Sequence, residues 1–165
     1  MHQKYFPCRR TAPSAGFIGH HHRIAIWEPL GYYGAMKDVT AAIIERDGNV
    51  LIARRRRDDR QGDQWEFPGG TVEAGETREA CLSREMAEEL GIEASVGPCL
   101  GESIYRYDHG AIRLIAFRVH WTGKDPVPRV HDRIRWVPRK DLRRYDFSPA
   151  DLPFVDMLLS GAIDP

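Results

Sequence analysis

The 165-residue chain predicts an α+β sandwich in which a mixed β-sheet carries two main helices. Two strand–turn–strand patterns support this, one around DGN at 47–49 and one around DHG at 108–110. A segment from about Arg78 to Leu90 instead repeats its apolar residues Leu82, Met86 and Leu90 every fourth position, which is a helical stripe. Strands and helices do not alternate regularly, so a repeating βαβ fold is not expected.

In chain order, residues 1–35 differ from the rest. Glu28 is their only acid, four of the seven histidines lie there, and prolines and glycines break any periodicity. They are expected to be a poorly ordered N-terminal extension, with the folded domain at 36–165. The HHH at 20–22 has no second ligand cluster and is expected to be a solvated polar patch. Met36 is a candidate natural start, which N-terminal sequencing of the native protein would settle.

VTAAIIE and VLIARR then form a hairpin, and the polar loop RRDDRQGDQ leads to a short strand, WEF. Pro68, Gly69 and Gly70 forbid regular structure there. Thr77 is a good N-cap, Glu79 suits the first turn, and Gly91 is placed to end the helix at Leu90. VGPCLGESIYRY and IRLIAFRVHW form the second hairpin, and RIRWV one more short strand. In SPADLPFVDMLLSG, Ser148 is expected to cap a last helix, with Pro149 at its first position and Gly161 at its end.

Composition narrows the function. At this length one domain can bury roughly two-thirds of its unfolded surface. The 24 basic and 24 acidic side chains cancel, so no global field draws the chain to nucleic acid or membrane. Any polyanion must be met locally. The three cysteines, Cys8, Cys81 and Cys99, are widely spaced and lack a CxxC, which fits neither a disulfide framework nor a zinc site. No stretch reaches the roughly 20 apolar residues of a membrane span. A cytoplasmic protein is expected, monomeric or homodimeric, without a stable nucleic acid partner or a membrane.

The chemistry concentrates on the first helix. Glu85, Glu88 and Glu89 are related by i,i+3 and i,i+4 spacing, so their like charges converge on one surface. Glu85 and Glu89 fall beside the buried stripe, where desolvation adds to the repulsion. Such a cluster favours a cation. Hard carboxylate oxygens suit Mg²⁺ or Mn²⁺, and Arg84 alone cannot neutralise three acids. The plainer reading of an isolated acidic helix is a solvated charged face.

The preceding loop changes that balance. Gly70, five residues, Glu76, seven residues, Arg84, Glu85, Met86, one residue, Glu88, Glu89, one residue, Gly91 and Ile92 fill every position of Gx5Ex7REUxEExGU, where U is a bulky aliphatic. This stretch resembles the Nudix hydrolase box. The resemblance implies an α/β/α sandwich with a mixed sheet and a substrate built on a nucleoside diphosphate. It also implies that Glu85 and Glu89 are metal ligands, that Glu88 shares the ions, and that the Gly70 carbonyl is a further ligand. Arg84 would orient the acids and Glu76 brace the loop. Glu85, Glu88, Glu89 and Arg84 are thus the expected catalytic set, with Mg²⁺ or Mn²⁺ neutralising the polyphosphate and activating water.

WEFPGG, the ARR at 53–55, RWV at 135–137 and PADLPFV at 149–155 resemble the MutT branch, which removes oxidised or unwanted nucleoside triphosphates; PADLPFV also resembles its cytidine triphosphate pyrophosphohydrolases. The likeness implies β-phosphorus attack, release of a nucleoside monophosphate and pyrophosphate, and a role in DNA repair. Arg55 matches a phosphate or sugar contact, Phe67 a residue whose backbone meets the base, and Asp151 the reader of the base edge. A carboxylate there suits the N4 amino group of cytosine as well as the N–H donors of guanine. An asparagine stands at this place in a bacterial relative specific for oxidised guanine, so an aspartate weakens a purely purine reading. Its plainer reading is a first-turn acid on a helix dipole. Tyr107, with Tyr105, is a candidate to stack on a base, or a core aromatic.

Two features stay open. Relatives often carry a glutamate before the WV strand, whereas RVHDRIRWV has Val130 and Arg135 at those places; Glu88, Glu102 and Asp132 are candidate substitutes. The run RRRR at 54–57 suits a phosphate-facing strand end or an RNA contact. The alternatives to a triphosphate pyrophosphohydrolase are a Nudix hydrolase of another nucleoside diphosphate derivative and a non-catalytic nucleotide-sensing module.

Overall fold

The computed structural model describes residues 4–6, 36–108 and 110–162. Its strands are β1 (Lys4–Phe6), β2 (Lys37–Arg46), β3 (Asn49–Arg54), β4 (Trp65–Glu66), β5 (Glu93–Tyr107), β6 (Gly110–Thr122) and β7 (Arg133–Pro138). The helices are α1 (Arg78–Leu90) and α2 (Leu152–Ser160), with a 3₁₀ turn at Arg139–Arg144. The strands join one sheet in the order β1-β5-β6-β2-β3-β4, and β7 pairs with β3. β2 and β6 run parallel and the other pairs antiparallel, so the sheet is mixed as expected.

Alternation along β2 and β3 builds the sandwich. Ala41, Ile43, Val50 and Ile52 pack with Phe154, Val155 and Leu158 of α2. The intervening Ala42, Ile44 and Leu51 pack with Leu82, Met86 and Leu90 of α1. Each face of the sheet therefore carries one helix, which is the period-2 pattern of strands buried on both sides.

The first hairpin closes through Asp47 and Gly48 at φ 51° and 75°, a pair of positive values that matches the right-handed twist of its strands. α1 has the expected ends. The Thr77 hydroxyl accepts from the Ala80 N–H, and Gly91 closes the helix at φ 68°.

The last helix starts later than expected. Ser148 donates its N–H to the Trp65 carbonyl at 2.7 Å and so belongs to the β4 edge rather than to a cap. The chain turns first, Asp151 takes the N-cap position without a side-chain cap bond, and Pro153 rather than Pro149 stands in the first turn. Gly161 ends α2 as expected, at φ 71°. The 3₁₀ turn had no counterpart in the sequence reading because Leu142 is its only buried residue.

Within the expected N-terminal extension, Lys4–Phe6 pair antiparallel with Glu102–Ile104 of β5. The remainder of 1–35, with the HHH and Cys8, lies outside the described residues. Cys81 is a buried free thiol, but Cys99 is disulfide-bonded, which corrects the expectation drawn from cysteine spacing. Among the described residues, no helix is long and apolar enough to cross a membrane.

Candidate active site

Beside the N-terminal half of β2 lies a cavity of about 480 Å³. The PGG loop forms one wall. Thr40 and Ala42 donate their N–H groups to the carbonyls of Gly70 and Pro68 at 2.8 and 2.7 Å, which holds the loop along the strand. Glu85 and Glu89 from α1, Arg55 from the end of β3, Glu66 from β4 and His131 from the β6–β7 loop also line it, together with Phe67, Tyr107 and Asp151.

The box acids divide by partner. Arg84 donates two bonds to Glu76, at 2.9 and 3.1 Å, one to Glu85 at 2.7 Å and one to Glu88 at 3.2 Å. That fork orients Glu85 and braces the loop through Glu76, which also accepts from the Glu73 N–H at 3.2 Å. The Arg84 hydrogen bonds hold the Glu76 carboxyl down to about 2. Glu88 is more than half exposed and is not among the cavity-lining residues.

Glu89 lies outside the Arg84 fork. Its Oε2 accepts from the Gly69 N–H at 3.1 Å. Burial pushes its carboxyl up to about 7; the nearby charges of Glu66 and Glu85 add to the rise, while His131 and the Gly69 bond oppose it. The repulsion expected from the spacing is therefore concentrated on this one group.

Among the described residues, no three His, Cys, Asp or Glu side chains are gathered at metal-holding distance. The Gly70 carbonyl also accepts from both the Thr40 N–H and, at 3.2 Å, its hydroxyl. The donor set nevertheless fits a hard divalent cation. Glu85 and Glu89 face one cavity, all their ligating atoms are oxygens, and Glu89 is an acid that burial holds above its ordinary range. Gly70 matters sterically, because a Cβ there would stand 2.2 Å from Glu85 Oε1.

The expected substrate contacts share the cavity. Arg55 Nη1 donates to Glu66 Oε2 at 2.8 Å. Asp151 is 4% exposed, and its Oδ1 accepts from the Phe67 N–H at 3.1 Å, so the backbone donor of Phe67, whose backbone is expected to meet the base, already has a partner. Burial first, then the charge of Glu66, raises the Asp151 carboxyl well above its ordinary range. Tyr107 places its hydroxyl 3.4 Å from Ser148 Oγ and its ring edge-on to Tyr105.

The three candidate substitutes for the missing glutamate stay outside. Glu102 binds Arg78 at 3.1 Å, Asp132 binds Arg133 at 3.2 Å, and Glu88 binds Arg84. In their place the structure brings in Glu66 and His131, which the sequence reading passed over. Strand alternation was the available signal for Glu66, since Trp65 and Phe67 are buried on either side of it. His131 carried none beyond its place beside Val130.

A NUDIX domain model matches residues 35–158. A Mycobacterium tuberculosis protein named "Putative 8-oxo-dGTP diphosphatase 2" is 43% identical over 120 residues, 71% of this chain and 84% of its own length. The CTP pyrophosphohydrolase of Escherichia coli is 36% identical over 125 residues, 76% of this chain and 93% of its own. Among solved structures, the Escherichia coli ORF135 protein superposes with a TM-score of 0.72 at 36% identity, covering 82% of this chain and 96% of that one. The MutT protein of Methanosarcina mazei Go1 gives 0.70 at 22% identity, covering 78% and 96%, a likeness of fold.

Proposed function

Because the chain belongs to the Nudix family and is a hydrolase of phosphoric anhydride bonds, we propose that it is a Mg²⁺-dependent nucleoside triphosphate pyrophosphohydrolase that sanitises the nucleotide pool. It releases a nucleoside monophosphate and pyrophosphate, and its role belongs to DNA repair in the cytoplasm. One observation carries this reading: a single cavity joins the acids Glu85 and Glu89, the cation Arg55 and the buried hydrogen-bonding group of Asp151. A triphosphate needs the first two and a base needs the third.

A divalent ion, Mg²⁺ or Mn²⁺, would be held by Glu85, Glu89 and Glu88 with the Gly70 carbonyl, and would supply neutralisation of phosphate oxygens and activation of water. The protein's own part is orientation. Arg84 fixes Glu85 against Glu76, and Glu89 is aimed by the Gly69 N–H. Arg55 meets the anionic chain of the substrate. Tyr107 gives one side of the base a flat apolar wall.

Asp151 selects the base. Its buried carboxyl accepts hydrogen bonds from N–H groups on the base edge. Oxidised guanine and cytosine both present an acceptor next to a donor, so 8-oxo-dGTP and CTP or dCTP are the substrates to compare. The names of the relatives support the same pair. A stable RNA partner is disfavoured, because Arg54 pairs with Asp63, Arg55 with Glu66, and Arg56 with the Arg129 carbonyl.

The test is a panel of canonical, methylated and oxidised triphosphates with Mg²⁺, following pyrophosphate release. Pyrophosphate as first product from 8-oxo-dGTP or a cytidine triphosphate supports the reading. Orthophosphate as first product refutes β-phosphorus attack. Cleavage only of sugar nucleotides or dinucleoside polyphosphates, abolished by Glu89→Gln, would move the substrate class and keep the metal site. Tight binding without cleavage would make the protein a sensor.

A further inference from the structure

His131 enters the cavity from a loop clamped at several points. The Val127 N–H bonds the Leu90 carbonyl at 3.0 Å, the Arg129 N–H bonds that of Glu89 at 2.9 Å, and the Asp132 N–H bonds that of Arg54 at 2.9 Å. Arg129 Nη1 adds a bond to the Ala87 carbonyl at 2.9 Å. The loop is thus fastened to the C-terminus of α1 and to the end of β3.

The imidazole so placed is 4% exposed, and its Nε2 lies 3.0 Å from Glu66 Oε1. Glu66 uses its other oxygen for Arg55. The carboxylate is therefore pinned from both sides, in a row that runs Arg55, Glu66, His131. At the two ends of this row, Arg55 Nε and His131 Nδ1 are buried without a hydrogen-bond partner. Leaving a polar atom buried and unpaired is costly, which a row serving only stability would avoid.

We propose that His131 is a positioning residue: by holding Glu66 it fixes the Arg55 guanidinium that meets the nucleotide. The inference rests on reading the cavity as a nucleotide site. Arg55 has a long flexible stem, and one bond to a freely rotating carboxylate leaves its fork free to turn. The second bond, from an imidazole on a clamped loop, fixes the plane of the Glu66 carboxylate and with it the direction of Arg55. RVHDRIRWV thus supplies, in His131, a residue that aims the Arg55 cation where an acid was expected.

The test compares His131→Asn, whose amide is too short to reach Glu66, with His131→Gln, whose amide reaches it. With the preferred triphosphate, His131→Asn is expected to raise KM about tenfold, the effect of some 1.4 kcal/mol, with kcat changed less than about threefold. His131→Gln should recover most of the loss. Combined with Arg55→Ala, His131→Asn should add nothing further, because it acts through Arg55. Separate factors that multiply, or a fall in kcat at constant KM, would overturn the proposal.

A second readout needs no turnover. The Arg55 Nε–H resonance should be sharp in the unliganded protein and broadened in His131→Asn; an unchanged resonance overturns positioning even if no triphosphate is cleaved. Failure of the triphosphate panel with the resonance broadened as expected would instead place the error in the substrate class.

Discussion

Glu89→Gln should stabilise the metal-free protein at alkaline pH and leave it unchanged in mild acid. The Glu89 carboxyl titrates at about 7 in the fold against an ordinary 4.5. Because the folded chain keeps this proton to higher pH than the unfolded chain, its contribution is most favourable below the ordinary value. It declines as pH rises between the two, and above 7 the whole penalty stands. At about 1.36 kcal/mol for each pH decade between the two values, that penalty is about 3 kcal/mol. For a domain of this size it corresponds to about 6–12 °C in Tm.

The assay is thermal unfolding in EDTA from pH 5 to 9. Wild type should lose stability across the window while Glu89→Gln stays level with respect to this group, so the two curves meet below pH 4.5, lie close at pH 5 and separate by pH 8. Saturating Mg²⁺ should then raise wild type alone, by about 2.7 kcal/mol at a hundred times Kd. Parallel curves at every pH would refute the idea that this acid is held against its own charge. Equal stabilisation of both proteins by Mg²⁺ would remove Glu89 from the ion site.

Five further substitutions separate the roles of the cradle. Arg84→Lys cannot reproduce the fork that reaches Glu76, Glu85 and Glu88, so kcat should fall by about 10²-fold through misplaced acids, measured at saturating metal. Gly70→Ala drives a methyl against the movable end of Glu85, whereas Gly69→Ala would place one 2.0 Å from the backbone oxygen of Thr40. Calorimetric titration with Mn²⁺ should find the first folded but weakly binding, and denaturation should find the second destabilised. Asp151→Asn keeps an acceptor for the Phe67 N–H and should fold and turn over, with its preference moved toward oxidised guanine. Asp151→Ala orphans that N–H at about 1–3 kcal/mol, read by urea unfolding.

The box helix was legible because each of its features is local. Thr77 and Gly91 mark its ends, Leu82, Met86 and Leu90 mark its buried side, and the glutamates follow by geometry. The hairpins were legible for the same reason, through alternation and the Asp47-Gly48 turn. The start of α2 was misread because Ser148, a good cap by residue type, is claimed by a distant strand through the Trp65 carbonyl. Glu66 and His131 were missed on similar grounds. Their meeting at 3.0 Å joins positions far apart in the chain, and no local spacing encodes that.

The separation of the acids explains how the protein can carry them at all. If Glu76, Glu85, Glu88 and Glu89 were all unpaired, their repulsion would fall on a short stretch beside the core. Arg84 binds the first three and leaves Glu89, which the fold keeps near the pH at which it ionises. On the proposed assignment, an arriving divalent ion would have the Glu89 proton to displace and two arginine bonds, to Glu85 and Glu88, to compete with. The cost of assembling the site is thus divided between a buried acid and an arginine fork, and a bound metal would offset it.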